Sequence, residues 1–172
     1  MNKQLTSIII RYLILIIIAV PNLYLFYFVF TPLTIYFIYF FLNIFSQATL
    51  QGNTILFQNS FFKIIPACVA GSAYYLLLIL NLSTPKIKFS TRINSIFLAF
   101  AIFLFLNITR IIILIFLFNT NFSFFNLAHK ISWYFLSTIF IIGIWFFEVK
   151  LFKIKNIPFY TDLKFLLKLT RK

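Results

Sequence analysis

Residues 93–118 read INSIFLAFAIFLFLNITRIIILIFLF. At a helical rise of 1.5 Å per residue this stretch is about 39 Å long, whereas a hydrocarbon core of ~30 Å needs only about 20 apolar residues. It therefore predicts a membrane-spanning helix, around which the rest of the chain is arranged. Its interior holds Asn107 and Arg110, three residues apart and so on one helical face. A guanidinium in mid-span costs about 2.5–3.5 kcal/mol on insertion scales, which confines such residues to bundle interiors and marks functional sites.

Composition extends the reading to the whole chain. Its 172 residues are 63% apolar and 22% aromatic, against roughly 45–50% apolar in soluble domains. Lys and Arg number 15 against 2 Asp and Glu, for a net charge of +13. With apolar runs this long, that excess is a topological signal and no nucleic-acid partner is expected. A single cysteine excludes an internal disulfide and leaves the thiol free. The N-terminal apolar run is too long for a signal peptide and has no small-residue cleavage site, so it is expected to be retained.

The expected fold class is an all-α polytopic membrane protein, a single integral membrane domain over 1–172. About five helices are expected, roughly 8–30, 33–48, 66–82, 93–118 and 130–149, with a basic cytoplasmic tail at 150–172. The first apolar tract must break once. Thr31-Pro32 is the preferred break because proline disfavours helix at the residue before it and because the split leaves a full first span; Pro21-Asn22 competes. A polar stretch follows, with Gln51, Gly52, Asn53, Gln58, Asn59, Ser60 and Lys63, and predicts a short outer-face hairpin or loop near 51–65, turning at Asn59-Ser60. Ser83-Thr84-Pro85 stops the next helix and Lys86, Lys88 and Arg92 come after it. The positive-inside rule places the 83–92 loop and the tail in the cytoplasm, and alternation then puts the 51–65 segment and the 119–128 loop outside. Five crossings put Met1 outside, whereas an incomplete second segment keeps Lys3 and Arg11 inside. Both topologies stay open at this point.

Three chemically distinctive residues come to the outer half of the bilayer. Cys68 lies in the first turn of 66–82 behind Pro66, where unpaired N–H groups and the helix dipole favour a thiolate. Arg110 is about eight residues, or roughly 12 Å, below the outer end of its span. His129 opens the last span. As a set they suit acyl transfer: a thiolate attacks a carbonyl, an imidazole moves the proton and a fixed cation stabilises the oxyanion. Asn107 is placed to orient Arg110 or a substrate. The sequence offers no paired carboxylates, metal-ligand cluster, G-x-S-x-G or phosphate loop, so neither a metal nor a cofactor is expected. A rival of another class is a non-enzymatic membrane subunit or small anion transporter, with Arg110 binding the anion and Cys68 only packing.

The order Cys68-Val69-Ala70-Gly71, Asn107-Ile108-Thr109-Arg110, then His129 resembles the archaeosortase/exosortase family of membrane transpeptidases. The resemblance covers about residues 33–165, and Trp133-Tyr134-Phe135 and Ile157-Pro158-Phe159-Tyr160-Thr161-Asp162 are similar to the archaeal branch. Many exosortases carry a Cys-Ser-Gly core; here one extra residue separates Cys68 from Gly71. The resemblance implies a thiol protease and transpeptidase in the plasma membrane, its site facing outward. Cys68 would be the nucleophile, Arg110 the oxyanion stabiliser and His129 the acid/base, with Asn107 and Gly71 binding or orienting substrate. It implies substrates bearing a C-terminal motif, a transmembrane helix and a basic end, cleaved and passed to an acceptor such as a membrane lipid.

Overall fold

The computed structural model describes residues 3–170. The expected tail residues Arg171 and Lys172 lie outside the described residues. The chain is mostly helical with one small sheet: α1 (Lys3–Ala19), α2 (Tyr24–Phe45), β1 (Ala48–Gln51), β2 (Thr54–Phe57), β3 (Ser60–Lys63), α3 (Pro66–Val69), α4 (Gly71–Leu82), α5 (Phe89–Asn119), α6 (Phe125–Ile131), a π-helical turn (Ser132–Leu136), α7 (Ser137–Leu151) and α8 (Tyr160–Thr170). Three helices are long and apolar enough to cross a membrane: Tyr24–Phe45, Phe89–Asn119 and Phe125–Leu151. Gln4–Ala19 and Pro66–Leu82 are shorter apolar helices, so three of the described helices reach full spanning length and the five expected spans are not confirmed.

The first break falls at the competing site. Pro32 lies inside α2, and the chain instead turns at 20–23, where Asn22 and Leu23 take φ of 49° and 59°. An interior proline forfeits one ladder hydrogen bond, which neighbouring helices make tolerable in a membrane bundle. Two consecutive left-handed residues end a helix outright.

Contacts show how these pieces run. The Arg11 guanidinium donates from Nη1 to the Leu82 carbonyl at 2.7 Å, and the Tyr75 hydroxyl donates to the Leu15 carbonyl at 3.1 Å. α1 therefore lies antiparallel to the half of α4 that ends at Leu82. Phe26 and Phe30 pack on Tyr74 and Phe100, and Phe45 meets Phe116, so α2 runs parallel to α5. At their crossing Tyr74 is fully buried, stacked on Phe30 with ring centroids 3.7 Å apart and edge-on to Phe103 at 4.8 Å. This aromatic cluster joins α2, α4 and α5 in the middle of the bundle.

The end of the bundle near Leu82 is polar inside. Glu148 of α7 accepts from Ser95 Oγ of α5 at 2.6 Å and from Asn81 Nδ2 of α4 at 3.0 Å. Arg92 donates to the carbonyls of Asn81, Leu82 and Thr84, satisfying the open end of α4. The expected basic tail contains α8, which packs against this end. Asp162 of α8 is 1% exposed and takes both oxygens to Arg11 Nη2, at 3.0 and 2.9 Å.

The opposite end carries the sheet, an antiparallel meander in the order β1-β2-β3. Ala48 pairs with Phe57 and Thr54 with Lys63. A hairpin near 51–65 is present, with a third strand added before it and with its turn one residue earlier than expected, at Gln58-Asn59, whose φ values are 48° and 63°. Both central residues being left-handed matches the right-handed strand twist, and Asn tolerates the conformation. The sheet rests on the far end of α5 through Phe57 on Phe116 and Phe62 on Phe118.

Candidate functional site

The segment that carries Cys68 is not the continuous helix expected over 66–82. Pro66–Val69 forms a single turn, Ala70 sits in the left-handed region at φ 58° and ψ 49°, and a new helix begins at Gly71. Proline opens the first turn, as the sequence reading requires. The break leaves the carbonyls of Cys68 and Val69 without the helical donors four residues on. Asn107 of α5 replaces them: its Nδ2 donates to the Cys68 carbonyl at 2.9 Å and lies 3.4 Å from the Val69 carbonyl. Arg110 Nη2 adds a longer contact to the Cys68 carbonyl, 3.4 Å. Asn107 and Arg110, one helical turn apart, thus fix the backbone that presents the thiol.

Arg110 is 6% exposed and is held from the other side by Ser137, whose hydroxyl accepts from Nη1 at 2.7 Å. No salt bridge holds it among the described residues, in line with the absence of nearby acids in the sequence. Its Nε is buried with no hydrogen-bond partner.

His129 lies in the second turn of α6, because that helix begins at Phe125 and not at the expected start of the last span. Its ring is stacked on Phe125, with centroids 6.0 Å apart and planes 15° apart. Between α6 and α7 the π-helical turn inserts one residue into the ladder.

One cavity of roughly 340 Å³ is lined by Cys68, Arg110 and His129 together. Its remaining wall is largely apolar, formed by β3 and the residues after it, by α5 beyond Arg110, and by Ser132 and Trp133. The three residues chosen from the sequence come from three separate elements and converge on this space. Asn107 does not line it and acts on it through the Cys68 carbonyl. Gly71 does not line it either: a Cβ there would lie 2.8 Å from the Tyr27 ring, so glycine serves the close approach of α2 and α4.

Two serines of the site escaped the sequence reading. Ser137 holds Arg110, and Ser132 lines the cavity, 8% exposed, with its hydroxyl unpartnered. The available signal was Ser132 and the Ser137-Thr138 pair, small hydroxyl residues in a largely bulky apolar span. Among the described residues no group of three or more His, Cys, Asp or Glu side chains gathers as a metal site. Comparisons with protein-family models, with curated proteins and with solved structures return no match to this chain.

Proposed function

We propose that the protein is a membrane-embedded cysteine peptidase and transpeptidase of the archaeosortase/exosortase type. The observation that carries this reading is the single cavity shared by Cys68, Arg110 and His129. In the proposed reaction the Cys68 thiolate adds to the scissile carbonyl and the Arg110 guanidinium stabilises the oxyanion. Collapse breaks the C–N bond, and His129 supplies the proton to the departing amine of the substrate's C-terminal helix. An acceptor nucleophile, such as a lipid headgroup amine, then takes the acyl group from the thioester, gives its proton to His129 and frees the thiolate.

The backbone at Ala70 lends further support. In a Cys-Ser-Gly core the glycine falls two residues after the cysteine. Here that place belongs to Ala70, whose φ of 58° is the one glycine adopts without strain. β3 is an edge strand of the sheet and runs directly into the Cys68 turn, so an extended substrate could add as a fourth strand beside the thiol.

Topology follows from the same reading. The Arg11–Asp162 ion pair brings α1 and α8 to one end of the bundle. On this reading α1 and α2 make one broken crossing, and α3 with α4, α5, and α6 with α7 make three more among the described residues. Lys86, Lys88, Lys153 and Lys155 share a cleft at that end, which the positive-inside rule assigns to the cytoplasm. The Cys68 cavity then faces outward, where the helix of an exported substrate delivers its scissile bond.

The test is co-expression with an exported protein ending in a transmembrane helix and a basic tail. Cys68→Ala, Arg110→Ala and His129→Ala should each accumulate the uncut precursor. Processing by Cys68→Ala at the wild-type rate would refute the peptidase and leave the anion-binding rival in possession of Arg110.

A further inference from the structure

The end of the bundle that carries Leu82 holds a second cleft, of roughly 400 Å³, between the loop that leads into α5 and the loop that leaves α7. Lys86 and Lys88 line it from the first loop, and Lys153 and Lys155 from the second. The Asn156 amide donates to the Pro85 carbonyl at 3.1 Å. That bond ties the two loops together, so the two lysine pairs share one built space.

No carboxylate lines this cleft. The chain has only two acidic side chains, and both are buried and engaged elsewhere: Glu148 with Ser95 and Asn81, and Asp162 with Arg11. The protein therefore brings no acidic side chain to the four exposed ammonium groups. Of the four, only Lys153, just past the end of α7, lies at a negative helix pole. Lys88 is the N-cap of α5, where the dipole disfavours a cation, and Lys86 takes φ of 60°, a backbone region in which glycine is the usual residue. Positive-inside topology asks only for basic residues on this side of the membrane. It does not ask for four in one cleft, where their fields add and draw in an anion.

The neighbours of the lysines indicate where that anion comes from. Ile87, Phe152 and Ile154 belong to the same wall, and Phe89 and Ile157, next along the two loops, are 79% and 62% exposed. The cleft lies at the shared end of α5 and of Phe125–Leu151, both long and apolar enough to cross a membrane. Exposed apolar side chains that alternate with lysines suit the boundary between hydrocarbon and headgroups. We propose that this cleft binds the phosphate of an anionic phospholipid, clasped between Lys86 and Lys88 on one side and Lys153 and Lys155 on the other. The acyl chains leave past the exposed apolar residues. Lipid binding here is independent of the chemistry at Cys68, which lies toward the opposite end of the bundle, and would hold equally for a protein that is no peptidase.

The test is native mass spectrometry of the full-length protein in neutral detergent micelles. It is titrated with dioleoyl phosphatidylglycerol or with dioleoyl phosphatidylcholine, whose phosphate carries its own cation. Phosphatidylglycerol should bind at least about tenfold tighter, and equal binding of the two lipids would overturn the proposal. Lys88→Gln with Lys155→Gln removes one charge from each loop and should weaken phosphatidylglycerol binding about thirtyfold, the combined scale of two lysines at an anionic surface. Phosphatidylcholine binding should not change, which separates loss of the site from loss of the fold, and Lys88→Arg with Lys155→Arg should retain the wild-type preference. Lys164→Gln with Lys168→Gln on α8 makes the same change in net charge outside the cleft. It should alter binding by no more than about twofold, because charge elsewhere adds only screened attraction. Equal losses in the two glutamine pairs, or no loss in the first, would show that diffuse charge alone attracts the lipid and would overturn the cleft as a site. Millimolar inorganic phosphate, compared with chloride at the same ionic strength, should not displace the lipid. Displacement would assign the cleft to a free phosphate and overturn the lipid as its occupant.

Discussion

Replacing Asn107 by leucine tests the claim that α5 holds the Cys68 turn through its backbone. Leucine has a similar volume, so the substitution opens little cavity and isolates the hydrogen bonds. The stronger bond, Nδ2 to the Cys68 carbonyl at 2.9 Å, has ordinary length, whereas the contacts at 3.4 Å from Nδ2 to Val69 and from Arg110 to Cys68 are long and weak. The loss is therefore about one good bond, and Arg110 compensates for little of it. Asn107 is 1% exposed and its bond to the Cys68 carbonyl is part-buried, so water replaces the amide only in part. Stranding a buried carbonyl costs ~1–3 kcal/mol, and we expect about 2 kcal/mol for Asn107→Leu. For a chain of this size that lowers Tm by ~4–8 °C, measurable by circular dichroism in micelles. Asn107→Asp should cost more, because a carboxylate offers only acceptors to two carbonyl oxygens. If the leucine variant melts with the wild type, or if aspartate is the milder change, Asn107 does not hold the break and the account of the Cys68 turn fails.

Ala70→Gly should stabilise the protein by about 1 kcal/mol, seen as a raised Tm, because it relieves a left-handed alanine; a lowered Tm would contradict the strained geometry. Tyr74→Phe removes a buried hydroxyl with no partner while keeping the ring stack, so it should be neutral or stabilising by about 1 kcal/mol. Tyr74→Ala, by contrast, should cost ~3–5 kcal/mol, and equal melting of the two would be inconsistent with the aromatic core. Breaking the Arg11–Asp162 pair from either side, with Arg11→Met or Asp162→Leu, should cost ~3–5 kcal/mol by stranding a buried charge. The double variant should recover most of that loss in an unfolding titration, and additive losses would show that the two residues do not meet.

The sequence made the long elements legible because apolar length is a one-dimensional signal: 93–118 needed no partner to be recognised as α5. The site was legible in part because a cysteine, a buried arginine and a histidine are each rare in such a chain. What it hid depends on contacts between distant segments. Pro32 and Pro21 look alike as breakers, and only the packing of Phe26 and Phe30 on Tyr74 decides that the first is absorbed and the second marks the turn. The break at Ala70 carries no glycine of its own, and Asn107, which makes it possible, is far away in sequence. The π-helical turn between α6 and α7 is a register slip of one residue, which hydrophobic spacing in a uniformly apolar span does not resolve.

The pairing of Arg11 with Asp162 also sets an order of events. Synthesis runs from α1 toward α8, so Arg11 enters the assembling bundle with only carbonyls to bind. Its counter-charge arrives 151 residues later. Up to that moment the N-terminal helix carries an unneutralised cation, and a chain stopped short of residue 162 never acquires the clasp. Closing this end of the bundle thereby waits on a single carboxylate of α8.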